Sequence, residues 1–145
     1  MLCACASLKP ALGTDDGLDA PRFNTLDAET KTYLKNIAAA WRRGDTAFLL
    51  SQGESRYQSE KRFGISEARY LALLYRAGPY ANDSGWDYGA YDLNPDGVLS
   101  LRFLDYHDEG PVRIFDCRFT LKSGEHIPAK ICLLWRLPAM KILGD

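Results

Sequence analysis

Apolar positions recur at steps of three and four residues early in the chain and at steps of two later. Between about residues 26 and 43, Leu26, Tyr33, Leu34, Ile37, Ala38, Ala40 and Trp41 mark one stripe of an amphipathic helix. Asn24 or Thr25 can cap its start, Asp27 and Glu29 suit the positive end of its dipole, and Arg42 and Arg43 suit the other end. Gly44 supplies a left-handed stop, and Asp45 can cap a short second helix through Leu50. Residues 52–64, polar around Tyr57 and Phe63, read as a loop or one irregular helical turn. Ser66, with Glu67 just inside, caps a third helix in which Tyr70, Leu71, Leu73, Leu74 and Tyr75 pack before Gly78-Pro79 ends it.

From Trp86 onward the period is two. A first strand through Trp86, Tyr88 and Ala90 turns at Asn94-Pro95-Asp96-Gly97, and Val98 to His107 is a second. Val112 to Lys122 and Ile127 to Leu137 follow, separated by turns at Asp108–Pro111 and Ser123–Glu125, and Met140 to Leu143 is a short last strand. Helices followed by strands predict an α+β fold, three N-terminal helices packed on an antiparallel sheet of four to five strands. Matching the apolar faces of the third and fourth strands sets Phe119 opposite Ile131 and Cys117 opposite Leu133. Cys132 then points to the less apolar face, which excludes a Cys117–Cys132 disulfide, because a one-residue slip would mix the faces.

Composition narrows the class. With 145 residues and 46% hydrophobic content, one domain can bury a core without disulfides or metals. A net charge of -1 gives no bulk attraction to nucleic acid, and no nucleic-acid partner is expected. No apolar run reaches the roughly 18–20 residues of a transmembrane span. Ser7 to Thr25, with Pro10, Gly13, Gly17 and Pro21, has linker composition, so residues 1–25 read as a flexible anchor or linker and 26–145 as the single domain.

Two resemblances add to this. Leu2-Cys3-Ala4-Cys5 resembles the end of a bacterial lipoprotein signal, with Cys5 in the place that receives the lipid. This implies a periplasm-facing lipoprotein of the cell envelope, with a basic and an apolar region encoded upstream of Met1; the alternative location is cytoplasmic. Cys3 and Cys5 as half of a metal site, or as residues of a frayed terminus, remain open readings. Separately, Ala38-Ala39-Ala40-Trp41-Arg42-Arg43-Gly44-Asp45-Thr46-Ala47-Phe48-Leu49-Leu50 is similar to the helix, Gly-Asp break and second helix of the nuclear transport factor 2-like superfamily. Cys132-Leu133-Leu134-Trp135-Arg136-Leu137 and Met140-Lys141-Ile142-Leu143-Gly144-Asp145 look like its last long strand and closing strand. That resemblance covers residues 26–145 and implies a curved, cone-like sheet enclosing a ligand pocket, in a superfamily that includes isomerases, dehydratases and cyclases beside binding and dimerising members. Tyr33, Trp41, Tyr70, Tyr88, Phe103, Phe119, Leu133 and Trp135 are the residues expected to line such a pocket; the plainer reading of that set is ordinary core.

Little chemistry accompanies the pattern. Asp105 and His107 share a face of the second strand with Leu99, Leu101 and Phe103 and are the best available pair for an isomerase-like base and donor; the plainer reading sets both beyond the apolar part of the strand, at its wet end near Asp108 and Glu109. His126 falls in a hairpin turn and is expected to be solvated. Asp92, Asn94 and Asp96 open like a calcium loop, but the twelfth position is Phe103 rather than a bidentate Glu and no helix follows, so the segment reads first as a hairpin turn and no metal is expected there. No cofactor is implied. The expectation is a non-catalytic domain that binds a small apolar ligand or a protein partner, with a homodimer through the sheet face as a further partner; the alternative is a small isomerase or cyclase using a pocket carboxylate or His.

Overall fold

The computed structural model describes residues 15–53, 66–78, 92–134 and 141–142. The expected strand at Trp86–Ala90, the polar segment after Gly53, and Cys3, Cys5, Tyr88 and Trp135 lie outside the described residues. Three helices, α1 (Ala28–Arg43), α2 (Thr46–Ser51) and α3 (Glu67–Leu74), precede the strands β1 (Val98–Glu109), β2 (Val112–Leu121), β3 (His126–Leu134) and β4 (Lys141–Ile142). The class is α+β, and the strands follow their sequence order across the sheet. The expectation of four to five strands is corrected: among the described residues the sheet is three long antiparallel strands, and β4 adds only two residues, opposite Leu133 and Leu134. Among the described residues two 3-10 turns, Pro21–Phe23 and Pro95–Gly97, accompany the three helices. The second stands where a hairpin turn was expected and leads straight into β1.

Local chemistry sets the helix ends. α1 begins two residues later than the pattern suggests, because Asp27, not Asn24 or Thr25, accepts the Thr30 N–H at 2.9 Å. Gly44, at φ 71, ends α1 in the left-handed region, and the Asp45 N–H reaches back to the Ala40 carbonyl at 2.9 Å. Asp45 then caps α2 through the Phe48 N–H, and Ser66 caps α3 through the Arg69 N–H. α3 stops at Leu74, earlier than Gly78: Arg76 takes φ 46 and the Ala77 N–H turns back to the Ala72 carbonyl.

The core lies between the helices and one face of the sheet. Leu34, Ile37, Ala38 and Trp41 of α1 and Tyr70, Leu71 and Leu74 of α3 meet Leu101, Phe103, Phe115, Phe119, Ile131 and Leu133 in one hydrophobic cluster. The β2–β3 register differs from the expectation: Phe119 stands opposite Ile127, Cys117 opposite Ala129 and Phe115 opposite Ile131. The turn closes earlier, with the Leu121 N–H on the Glu125 carbonyl at 2.8 Å, so the partner of each β2 residue moves by four residues along β3, and because that step is even the faces stay matched. Cys132 lies opposite Ile114 on the outer face, is buried, and forms no disulfide with Cys117.

β1 is irregular. Its pairing with β2 shifts between Val98 and Ser100 and again between Phe103 and Asp105, which leaves Leu99 and Leu104 as bulged residues. Beyond Leu104 the alternation is inverted. Tyr106, not Asp105 or His107, continues the core face, stacked on Phe115 at 5.4 Å and on Phe23 at 5.8 Å.

Residues 15–25, linker by composition, are packed here: Leu18 and Phe23 are fully buried. This strap runs along the outer edge of β1. The Phe103 N–H donates to the Asp16 carbonyl at 2.8 Å, and Arg22 donates to the Tyr106 carbonyl. Gly17, at φ 80, lets the strap come close, since a Cβ there would lie 2.5 Å from the Phe103 carbonyl oxygen.

Candidate functional site

The centre of the helix–sheet interior is aromatic. The left-handed stop after Arg43 places Trp41 in the last turn of α1, and Tyr75 follows the last residue of α3. Both meet Phe119 of β2. Trp41 and Phe119 lie 4.7 Å apart between centroids, Trp41 and Tyr75 5.2 Å, and Tyr75 and Phe119 5.8 Å, all edge to face. That is the favoured geometry for rings with negative faces and positive edges. None of the three is accessible to solvent.

This triad contains two polar atoms, Trp41 Nε1 and Tyr75 Oη, which are buried and have no hydrogen-bond partner among the described residues. Burial pushes the Tyr75 phenol well above its ordinary pKa; the Trp41 indole N–H, aimed at its oxygen but short of a full hydrogen bond, works the other way. Tyr33, Cys117 and Tyr70 add to the rise and so mark the polar neighbours of Tyr75. Burial also raises Tyr33, whose hydroxyl donates to Gln52 Oε1 at 2.9 Å, and Cys117, on the same face of β2 as Phe119. Gly53 leaves room for the Tyr70 hydroxyl, which a Cβ at that position would strike.

The groups gathered here are neutral: phenols, an indole, a thiol and an amide. The only buried polar or charged residues outside the core set, among those described, are Thr30 and Ser100, so no described carboxylate or imidazole shares the interior. Such a set can donate hydrogen bonds to an acceptor oxygen in apolar surroundings. It supplies no base.

The expected pocket residues divide. Trp41 and Phe119 are in ring contact, and Tyr33 and Tyr70 lie near Tyr75. Phe103 belongs instead to a second aromatic group, 6.2 Å from Phe115, toward Tyr106 and Phe23. Leu133 is buried beside Ile142 at the β3–β4 edge. Tyr75 is the member that pattern reading missed as a site residue. It counted as helix packing, whereas it lies just past the helix end with its hydroxyl buried.

Asp105 and His107 do not share a face with Leu101 and Phe103, because the Leu104 bulge turns them outward. Asp105 pairs with Arg22, and His107 Nε2 meets Glu109 Oε2 at 2.8 Å, each side chain about half exposed at 54% and 51%. His126, also exposed, holds Thr120 Oγ1 through Nδ1 at 3.0 Å. In the calcium-like segment Asp92 pairs with Arg69 at 3.1 Å, and Asn94 Oδ1 accepts the Asp96 N–H at 3.1 Å, as in a local turn. Among the described residues no group of three or more His, Cys, Asp or Glu could hold a metal ion. Thr46, Glu67, Ala68, Asn94 and Pro95 line a surface cleft of about 220 Å³ away from the aromatic interior.

Comparison with protein-family models, curated proteins and solved structures found no match. No helix among the described residues is long and apolar enough to cross a membrane.

Proposed function

We propose that this chain is a non-catalytic binding domain that holds a small, mostly apolar ligand with one acceptor oxygen at the Trp41–Tyr75–Phe119 centre. The observation that carries the reading is the pair of buried donors, Trp41 Nε1 and Tyr75 Oη, without a described partner. An unsatisfied buried donor costs about 1–3 kcal/mol, and a ligand oxygen accepting from both would recover it. The surrounding phenols, held neutral by burial, match a carbonyl or hydroxyl and disfavour a carboxylate. The order of helices and strands and this aromatic interior support a relationship to the nuclear transport factor 2-like superfamily. The Leu2–Cys5 resemblance supports an envelope lipoprotein, testable by incorporation of labelled fatty acid at Cys5.

An isomerase or cyclase would need a base beside these donors, and Asp105 and His107 face away from them. Native mass spectrometry of the full chain purified from cells, with and without a calcium chelator, tests the reading. The expected result is an organic mass that survives chelation in the wild type and is lost in Tyr75→Phe. A bare wild-type protein, or a mass retained equally by the variant, would refute it.

A further inference from the structure

The face of the sheet turned away from the helices carries charge in ordered rows. The register places Ser100, Thr120 and His126 in one row, Arg102, Arg118 and Pro128 in the next, and Asp105, Asp116 and Lys130 in the third. Same-face rows lie about 7 Å apart, two residues along a strand. The carboxylates near these rows are committed. Asp15 accepts from Arg102 Nη1 at 2.7 Å, Asp116 from Lys130 Nζ at 2.6 Å, and Asp105 pairs with Arg22.

Arg118 is left over. Its Nε is buried without a hydrogen-bond partner among the described residues, and it stands directly opposite Arg102. Two guanidinium groups opposed across a strand pair repel, and a guanidinium presents five N–H donors that want acceptor oxygens. On its other side Arg118 faces Pro128, which carries no side-chain charge or N–H to compete. The neighbouring row offers the hydroxyls of Ser100 and Thr120, with Thr120 bonded to His126.

We propose that Arg118, with Arg102 beside it and the Ser100–Thr120–His126 row next to it, is a binding site for a phosphate group, either free phosphate or the headgroup of an anionic phospholipid. A phosphate has several oxygens to share among two guanidinium forks and a hydroxyl, and its charge resolves the repulsion between Arg102 and Arg118. This site is separate from the aromatic interior and does not depend on it.

The test uses the full chain. Thermal unfolding is followed in sodium phosphate and in sodium chloride at matched ionic strength, for the wild type, Arg118→Gln and Arg42→Gln, the last removing one exposed charge from α1 rather than from the sheet. Phosphate at about 100 times its dissociation constant should shift the wild-type unfolding equilibrium on the order of 100-fold. Arg42→Gln should keep that shift and Arg118→Gln should lose it. In chloride, Arg118→Gln should melt no lower than the wild type, because it removes a like-charge pair. A lower melting point there would make Arg118 a structural residue and overturn the proposal. Flotation with phosphatidylglycerol against phosphatidylcholine vesicles separates the sources: binding that requires phosphatidylglycerol and Arg118, without a shift in free phosphate, assigns the site to a headgroup. Should Arg118→Gln fail to fold, phosphorus NMR of inorganic phosphate with the wild type decides. Broadening that exceeds that of a chloride-saturated control supports the site. No broadening, together with no vesicle binding, refutes it.

Discussion

Replacing Tyr75 by Phe removes one oxygen from a position with no solvent access and no hydrogen-bond partner among the described residues. Leaving that hydroxyl unpaired costs about 1–3 kcal/mol, which the variant regains. Against this stand the incomplete contact with the Trp41 indole, worth about 0.5 kcal/mol, and a void of about 10–15 Å³. At about 24 cal/mol per Å³ that void costs roughly 0.3 kcal/mol. The ring itself keeps its edge-to-face contacts with Trp41 and Phe119. The net expectation for ligand-free protein is a gain of about 0.5–2 kcal/mol, or a melting point higher by about 1–8 °C in a chain of this size. Urea unfolding of protein refolded from denaturant, and thus stripped of ligand, measures the difference directly. The same variant purified natively should lose whatever stabilisation the co-purified ligand gives the wild type. If refolded Tyr75→Phe is less stable than refolded wild type by about 1 kcal/mol or more, the hydroxyl has a partner in the free protein. The argument for a ligand at that centre then fails.

Three further outcomes follow from the same geometry. Gly17→Ala should destabilise by about 1–3 kcal/mol in urea titrations, since the left-handed backbone there is strained for alanine and its Cβ would meet the Phe103 carbonyl oxygen; unchanged stability would show that the strap is not seated. Cys117, buried with its thiol pKa pushed up by desolvation, should resist a pulse of iodoacetamide in native protein and react fully in urea, as read by mass spectrometry. Stability should decline as pH falls below about 3.8. Asp15 is held low by Arg102 and the Gly17 N–H; burial favours protonation of Asp27, but Thr30 and Arg113 outweigh it; and Asp45 is held low by the Phe48 N–H and Arg43. A carboxylate lowered on folding contributes stability above its unfolded pKa and loses it as pH drops through the folded value. Asp27→Asn should therefore flatten the acid limb of a urea-midpoint profile, and an unchanged limb would contradict the assignment.

Where structure follows from neighbours in the chain, it was legible beforehand. Gly44-Asp45 and Ser66 mark their helix boundaries because each acts within a few residues. The start of α1 was less so: Asn24, Thr25 and Asp27 are all competent caps, and only the fold brings Arg113 to Asp27 at 2.9 Å. Alternation fixed which faces of β2 and β3 meet but not the register, because pairing Cys117 with Leu133 or with Ala129 keeps the apolar sides together. The length of the turn decided it. Bulges have no signature in a hydrophobic pattern, so Asp105 and His107 were assigned the face that Tyr106 in fact occupies. Of the candidate site, Trp41 and Phe119 were readable as inward-facing aromatics. The isolation of Tyr75 Oη and Arg118 Nε was not, because lacking a partner is a property of three-dimensional surroundings.

The strap has a practical consequence for how the chain is handled. A cut at residue 26, the boundary that composition suggests, would delete Asp16, Leu18, Arg22 and Phe23 together. That would bare the Phe103 N–H and Tyr106 carbonyl along the rim of β1 and uncover the stacked ring of Tyr106. A strand left so is a template onto which another copy can add its own backbone, and repeated addition is polymerisation. The eleven residues from 15 to 25 thus cap an edge of the sheet, occupying backbone groups of β1 that a further strand would otherwise find open.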